Sequence, residues 1–191
     1  MRTIRTALLA LLCAGMMGTA CGQNSISLGR WDAGASGGAV LYGDVVGLNG
    51  MVETRVYLLK TDFDFDAFAG AGVMYQYAAG DNHSMANLYG SVLGGGDWFF
   101  LRERVPALET LALRAQLALG GGYTSDKNTD GTVAGHGGYL VHPALGADYG
   151  FGRIHASLLF GYEVIASGGT VMTAPTLGAG ISYSLSDRSE K

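Results

Sequence analysis

The chain has 191 residues, of which 32 are glycine and 15% are charged. A typical soluble domain has about 25% charged residues, so this composition argues against an ordinary soluble surface, and the formal net charge of −4 argues against a nucleic-acid partner. Beyond the N-terminal segment, no run approaches the roughly 20 consecutive apolar residues of a helical membrane span. Any membrane crossing is therefore expected to be made by strands.

Residues 1–20 predict a secretory signal peptide. Arg2 and Arg5 precede an apolar stretch that ends in small residues at Gly18 and Ala20, which is the pattern of a cleavable signal. The same G-T-A-C sequence fits a lipoprotein processing site with Cys21 as the lipidated residue, so plain cleavage and lipidation both stay open. Either way the mature chain keeps at most one cysteine, which excludes an intrachain disulfide and a cysteine metal cluster.

Eight segments of the remaining chain predict strands with one apolar face and one mostly polar face. Successive side chains of a strand point to opposite sides, so apolar residues at every second position identify a strand and the face that avoids water. The clearest case is R-I-H-A-S-L-L-F-G-Y-E-V-I, at residues 153–165. The predicted strands are residues 39–48, 51–60, 64–78, 84–101, 110–124, 138–151, 153–165 and 171–185.

The polar faces of these segments carry few charges, together with many glycines and serines. This composition suits a narrow, crowded lumen with lipid outside, whereas a soluble barrel would need many more charges on its outer face. The sequence therefore predicts an all-β fold, an antiparallel up-and-down transmembrane β-barrel over residues 38–185. Eight strands are expected; ten is the alternative, because residues 25–34 and 98–105 could each form a further strand. Residues 21–37 would then be an N-terminal segment or extra strand, and residues 186–191 a polar tail.

Two turn signals predict ion pairs inside the barrel. Asn49-Gly50 is a strong signal for a two-residue hairpin turn, which would place Asp44 opposite Arg55. A turn at residues 150–152 would place Asp148 opposite Arg153 or His155. We expect a lumen ion-pair network made of Asp44, Glu53, Arg55, Arg114, Asp148, Arg153, His155 and Glu163.

Aromatic residues collect at the strand ends in two groups, as the two interfaces of a membrane barrel require. With the C-terminus in the periplasm, one group would lie at the external rim and the other at the periplasmic rim. The external group is Tyr75, Tyr77, Tyr123, Tyr139 and Tyr162, and the periplasmic group is Trp98, Phe100, Tyr149 and Tyr183.

The segments F-A-G-A-G-V-M-Y-Q-Y, L-R-A-Q-L-A-L-G-G-G-Y and L-G-A-G-I-S-Y-S-L resemble strands of the small bacterial outer-membrane barrels of the OmpA and OmpX architecture. The resemblance implies a Gram-negative-type outer membrane, contact with its lipid, and insertion by the barrel assembly machinery. Such proteins commonly end on an aromatic residue, whereas the last predicted strand here ends at Leu185, with S-D-R-S-E-K behind it. The resemblance brings no catalytic motif.

His155, Ser157 and Glu163 form the candidate set for an enzyme, because outer-membrane lipid A deacylases use a His-x-Ser pair with a distant glutamate. In such an enzyme the histidine would take the serine proton and the glutamate would orient the histidine. Here Glu163 lies about 26 Å from His155 along one strand at about 3.3 Å per residue. It could not orient that histidine, so polar lumen residues are the favoured interpretation, and no catalytic residue is predicted.

The sequence T-S-D-K-N-T-D-G-T begins like a calcium loop. Asp126, Asn128 and Asp130 have the spacing that gathers oxygen ligands around a tight turn, but the twelfth position is Gly137 instead of a bidentate glutamate. We expect no cofactor, with calcium at these residues as the alternative.

These observations favour a non-enzymatic outer-membrane barrel with a filled lumen, which supports the envelope or presents the external loop 125–137 to a partner. A narrow, porin-like channel is a second hypothesis and a lipoprotein anchored at Cys21 a third. A lipid hydrolase is a remote fourth.

Overall fold

The computed structural model describes residues 30–60, 64–81, 83–128 and 130–185. It confirms the predicted eight-stranded, all-antiparallel closed barrel. The strands are β1 (Trp31–Tyr42), β2 (Val45–Lys60), β3 (Phe65–Ala79), β4 (His83–Trp98), β5 (Leu111–Asn128), β6 (Val133–Phe151), β7 (Ile154–Ser167) and β8 (Thr170–Ser184), with a short 3₁₀ helix at Pro106–Leu108.

Each strand pairs with its neighbour in the chain, and β1 pairs with β8 to close the barrel. The predicted signal peptide, the lipidation candidate Cys21 and the tail 186–191 lie outside the described residues. In the described part of the chain, no helix is both long and apolar enough to cross a membrane.

The turn predicted at Asn49-Gly50 is wrong, because both residues lie inside β2. The first hairpin turns at Gly43 and Asp44 instead, and Gly43 has a φ of 59°. Two-residue hairpin turns need such a positive φ, which glycine adopts without steric cost. This turn gives β1 a longer pairing with β2, from Trp31 to Tyr42, than a turn at Asn49 would allow.

Moving the turn also changes which residues face each other. Arg55 lies opposite Asp32, and Asp44 is exposed in the turn. Because β2 begins directly after this turn, Val46 and Leu48 point outward, with exposed fractions of 63% and 68%.

The ten-stranded alternative is also wrong. Residues 31–34 belong to β1, so the barrel begins at Trp31 and includes part of the segment 21–37 that was expected to precede it. The chain leaves β4 at Trp98 and continues through turns and the 3₁₀ helix to β5.

The two ends of the barrel differ. The end that contains residues 30 and 185, together with the β4–β5 connection 99–110 and the turn 152–153, is called the terminal rim. The opposite end, with the turns 43–44 and 168–169 and the adjoining ends of β3, β4, β5 and β6, is called the hairpin rim. At the hairpin rim the β5–β6 hairpin extends past the end of β7, because β6 pairs with β7 only from Gly138 onward and residues 133–137 are exposed.

The outer surface is apolar, while the inward positions carry the polar and charged residues. Glycines let neighbouring strands approach closely: a Cβ built on Gly38 would lie 2.1 Å from the carbonyl oxygen of Leu177 in β8. The outward side chains of Leu48, Val52, Leu145 and Ile181 are all more than 60% exposed. This inside-out distribution is the one that a lipid environment selects.

Candidate functional site

The interior of the barrel near the terminal rim is built around Arg114 of β5, which is 1% exposed. Its Nε and Nη2 donate to the two carboxylate oxygens of Asp97, each at 2.7 Å. Its Nη1 lies 2.9 Å from Asp148 Oδ2, and its Nη2 donates to the Tyr57 hydroxyl at 3.1 Å. One arginine thus joins side chains from β2, β4 and β6.

The surrounding residues form further buried pairs. His155 Nδ1 lies 3.0 Å from Asp148 Oδ1, Arg30 Nε lies 2.9 Å from Asp32 Oδ1, and Arg55 Nε donates to Glu53 at 2.8 Å. We call the whole set the arginine cluster: Arg30, Asp32, Glu53, Arg55, Tyr57, Asp97, Arg114, Asp148 and His155. Three arginines face four carboxylates in this cluster, and His155 lies beside one of the four, so each buried charge has a polar partner.

A second polar group lies nearer the hairpin rim and is called the carboxylate cluster. It consists of Glu163 of β7, Tyr42 of β1, Gln76 of β3 and Asn87 of β4. Tyr42 OH and Gln76 Nε2 both donate to the Glu163 carboxylate. Gln76 Oε1 accepts from Asn87 Nδ2 at 3.0 Å and lies 3.2 Å from the Tyr42 hydroxyl oxygen.

An apolar layer of buried side chains lies in the middle of the barrel. Met51, Met74 and Leu93 of this layer lie between the two polar clusters along their strands, whereas Ile165 lies on the hairpin-rim side of Glu163. On β4, buried Leu93 lies between Asn87 of one cluster and Asp97 of the other. The layer consists of Met51, Met74, Tyr89, Leu93, Ala118, Leu140 and Ile165, all buried and in contact, with Met172 packed against them. Side chains therefore fill the middle of the barrel.

Most members of the predicted ion-pair network lie in these clusters. Glu53, Arg55, Arg114, Asp148, His155 and Glu163 are all buried inside the barrel. Asp44 is exposed in a turn and has no part in the network, because the first hairpin turns elsewhere. Arg153 is exposed at the terminal rim, where its Nη1 donates to the Tyr183 hydroxyl at 3.4 Å.

Sequence reasoning did not single out several members of the clusters. Asp97 is adjacent to Trp98 on β4 and therefore points to the opposite, inward side of the barrel. The alternation of side chains along the strand alone could have predicted this position. Asp32 was missed because residues 25–34 had no assigned face. Gln76 and Asn87 occupy inward positions of their strands, but nothing in the sequence connects them to a glutamate far along the chain.

The aromatic residues expected at the external interface lie toward the hairpin rim. Tyr75, Tyr77, Tyr123, Tyr139 and Tyr162 are exposed on the outer surface, between 45% and 68%. Of the second group, Trp98 and Tyr183 are exposed on the outer surface near the terminal rim. Phe100 and Tyr149 lie at the same rim, partly buried: the Phe100 ring lies 5.7 Å from that of Trp98, and the Tyr149 hydroxyl donates to the carbonyl of Ala107.

No family model and no curated protein matches the chain. Solved structures do match the chain. Neisserial surface protein A is 13% identical with a TM-score of 0.54, and the match covers 84% of this chain and 99% of that one. A major outer membrane protein from Thermus thermophilus is 11% identical with a TM-score of 0.53, covering 82% of this chain and 98% of that one.

This is the fold of the small outer-membrane β-barrels. At such identities the likeness establishes the architecture alone, and the role of this barrel depends on its own residues.

The barrel does not bring the candidate enzyme residues together. His155 bonds to Asp148, whereas Glu163 bonds to Tyr42 and Gln76 at the other end of the same strand. Ser157 lies on the inner face of β7, away from the outer surface.

The candidate calcium residues lie at the tip of the β5–β6 hairpin. Asp126 and Asn128 belong to β5, and Asp130 lies in the turn, where its carboxylate accepts from Thr132 N at 2.9 Å and from Thr132 Oγ1 at 2.6 Å. These hydrogen bonds hold the pKa of Asp130 below its ordinary value. Among the described residues, no three His, Cys, Asp or Glu side chains are grouped to hold a metal ion.

Proposed function

We propose that this protein is a non-enzymatic outer-membrane barrel with a closed lumen, and that it presents its β5–β6 hairpin to a partner outside the cell. The observation that carries the closed lumen is the apolar layer in the middle of the barrel. An eight-stranded barrel has an interior just wide enough for its own side chains. Here that interior is occupied by Met51, Met74 and Leu93, each no more than 8% exposed.

The surface role is supported by the shape and composition of the hairpin. Residues 133–137 are exposed and pair with β5 but, in the described ladders, not with β7. Exposed loops positioned by a rigid scaffold are the usual place for binding residues. Thr132 donates two hydrogen bonds to Asp130 in this hairpin, and such ordering favours recognition by reducing the entropy cost of binding.

Conductance across a planar bilayer tests the closed lumen. The purified barrel should give no step current. A variant that thins the apolar layer, with Met51, Met74 and Leu93 all replaced by alanine, should give one and so serve as the positive control. A reproducible step current from the unaltered protein would overturn this part of the proposal in favour of the narrow channel.

Cysteine labelling on intact cells tests which rim faces outward. A membrane-impermeant maleimide should label Lys127→Cys, at the hairpin, on intact cells. It should label Arg104→Cys, at the terminal rim, only after the outer membrane is permeabilised. The unaltered chain, with Cys21 as its one candidate mature cysteine, gives the background. The reverse labelling pattern would place the hairpin in the periplasm and end the proposal of an external partner.

The lipoprotein and hydrolase alternatives have their own tests. Palmitate labelling that disappears in Cys21→Ser would establish a lipid anchor, which is compatible with the barrel. Loss of lipid deacylation in His155→Ala, in cells where the unaltered protein shows it, would contradict the non-enzymatic role.

A further inference from the structure

The outer surface of the barrel has a recess over β4 and β5. Gly94 and Ala115 occupy outward positions of these strands, and both are exposed. A Cβ built on Gly94 would have no atom within 4 Å. This position therefore lacks the side chain that Val92 and Trp98 provide on the same face of β4, and the floor of the recess consists of backbone and the Ala115 methyl group.

Large apolar side chains surround this floor. Two adjoining cavities, of about 580 Å³ and 490 Å³, share Ala115 and Leu145 as lining residues. The first extends to Tyr162 on β7, and the second extends to Phe65 and Trp98 near the terminal rim. We call the two together the glycine recess.

The glycine recess is continuous with the outer surface, which in a membrane barrel contacts lipid. Its occupant is therefore a lipid chain or a second membrane protein. A second barrel presents a convex surface and would meet Leu145 and Phe160, which are 66% and 63% exposed, before it reached Gly94. An acyl chain is thin and flexible enough to lie between these side chains, so the shape of the recess favours lipid.

Trp98 indicates where the headgroup of such a lipid lies. Its side chain is 50% exposed on the outer surface near the terminal rim, and tryptophans at this position of a membrane protein lie level with the lipid headgroups. A lipid whose headgroup lies beside Trp98 extends its chain from there over Ala115. The terminal rim faces the periplasm in the proposed function, and the leaflet on that side consists of phospholipid, so the choice of phospholipid rests on that proposal.

We infer that the glycine recess binds one acyl chain of a phospholipid, whose headgroup lies beside Trp98, in preference to the rest of the outer surface. A chain in the recess contacts the floor and the surrounding side chains together. It therefore makes more van der Waals contacts than a chain on the convex surface beside it, and such contacts are individually small but additive.

Quenching of Trp98 fluorescence by phosphatidylglycerol with brominated acyl chains tests the site in a non-ionic detergent. The chain has two tryptophans, so Trp31→Phe leaves Trp98 as the only reporter. Its quenching should saturate at one lipid per barrel. Trp98→Phe leaves Trp31, which is 47% exposed on β1 and lines neither cavity, and its quenching should rise without saturating at that ratio.

Filling the recess should abolish the saturable quenching of Trp98. Gly94→Leu, made in the Trp31→Phe background, places a side chain on the floor. Gly90→Leu is the matched control, because Gly90 lies on the same outward face of β4 and its built Cβ also has no atom within 4 Å, but it lines neither cavity. The control should retain the saturation.

Quenching of Trp98 that rises without saturating would overturn the inference, since the recess would then contact lipid like any other part of the surface. Saturation that persists in Gly94→Leu would also overturn it. So would a dimer, detected by sedimentation in the same detergent, that Gly94→Leu dissociates, because a second copy would then occupy the recess. Should Gly94→Leu fail to fold, Ala115→Leu fills the recess from β5 and takes its place.

This measurement does not depend on how the barrel is oriented in cells. If the cysteine labelling shows the hairpin in the periplasm, the choice of phospholipid as the cellular lipid is wrong. Saturable quenching in detergent would still support an acyl-chain site in the recess, so the two failures are distinguishable.

Discussion

Replacing Arg114 with methionine should destabilise the barrel more than any other single charge removal in the arginine cluster. The guanidinium holds Asp97 through two hydrogen bonds of 2.7 Å and lies 2.9 Å from Asp148. Removing one partner of a buried ion pair costs about 3–5 kcal/mol, because the other charge stays buried without compensation. Tyr57 still donates to Asp97 at 2.8 Å, and His155 remains beside Asp148. We therefore expect about 3–5 kcal/mol, and not twice that for two carboxylates.

Urea titration in phospholipid vesicles, followed by tryptophan fluorescence, measures this loss in the free energy of unfolding. Arg102→Met is the matched control, because Arg102 pairs with Asp64 at 3.1 Å with both side chains about one quarter to one third exposed. Such a surface pair contributes about 0–1 kcal/mol.

The double variant Arg114→Met with Asp97→Asn should recover part of the loss, since the buried Asp97 charge is removed together with its arginine partner. A loss for Arg114→Met no larger than that for Arg102→Met would contradict the central role of Arg114 in the cluster. It would mean that the buried carboxylates are neutralised without the arginine.

Three further predictions concern the contact between β1 and β8, the lumen and the β5–β6 hairpin. Gly38→Ala places a methyl group 2.1 Å from a backbone oxygen of β8 and should cost about 1–3 kcal/mol in urea titration, whereas Gly37→Ala, with 3.7 Å to its nearest neighbour, should change little. Arg55→Ala leaves the buried carboxylate of Glu53 without its cation, so the unfolding temperature in detergent should fall. An unchanged temperature would contradict the pairing of Arg55 with Glu53. Proton titration by NMR should find the pKa of Asp130 below its ordinary value, and Thr132→Val should raise it toward that value. Because this pKa is lowered in the folded state, the contact stabilises the hairpin above the ordinary carboxyl pKa and is lost as the pH falls through the lowered one.

The architecture could be predicted because the alternation of apolar and polar residues along a strand is a local signal. Each strand needs only its own residues to show which face avoids water, and the strand at 153–165 is as clear in the sequence as in the barrel. The first hairpin could not be placed in this way. Asn49-Gly50 is a good turn sequence, but twelve residues of pairing between β1 and β2 outweigh it, and that pairing depends on a strand start at Trp31.

The interior residues were predicted better than their partners. The alternation of side chains along each strand is enough to predict that Glu53, Arg55 and Glu163 point inward, where they are buried. Which side chains meet across a lumen depends on the tilt and register of every strand between them. Tyr42 and Glu163 are 121 positions apart in the chain, and nothing local to either residue predicts their hydrogen bond.

The pairing of β1 with β8 also has a consequence for the order of folding. Ser184 donates to Asp32 across 152 positions of chain, and Leu185 N donates to the carbonyl of Trp31 at 2.7 Å. Until β8 is available, the growing sheet has two open edges, and open edges invite pairing with other chains. Contacts of this sequence separation form slowly. A chain shortened before residue 170 should therefore aggregate and not form a smaller barrel, because its two free edges have no partner in the same molecule.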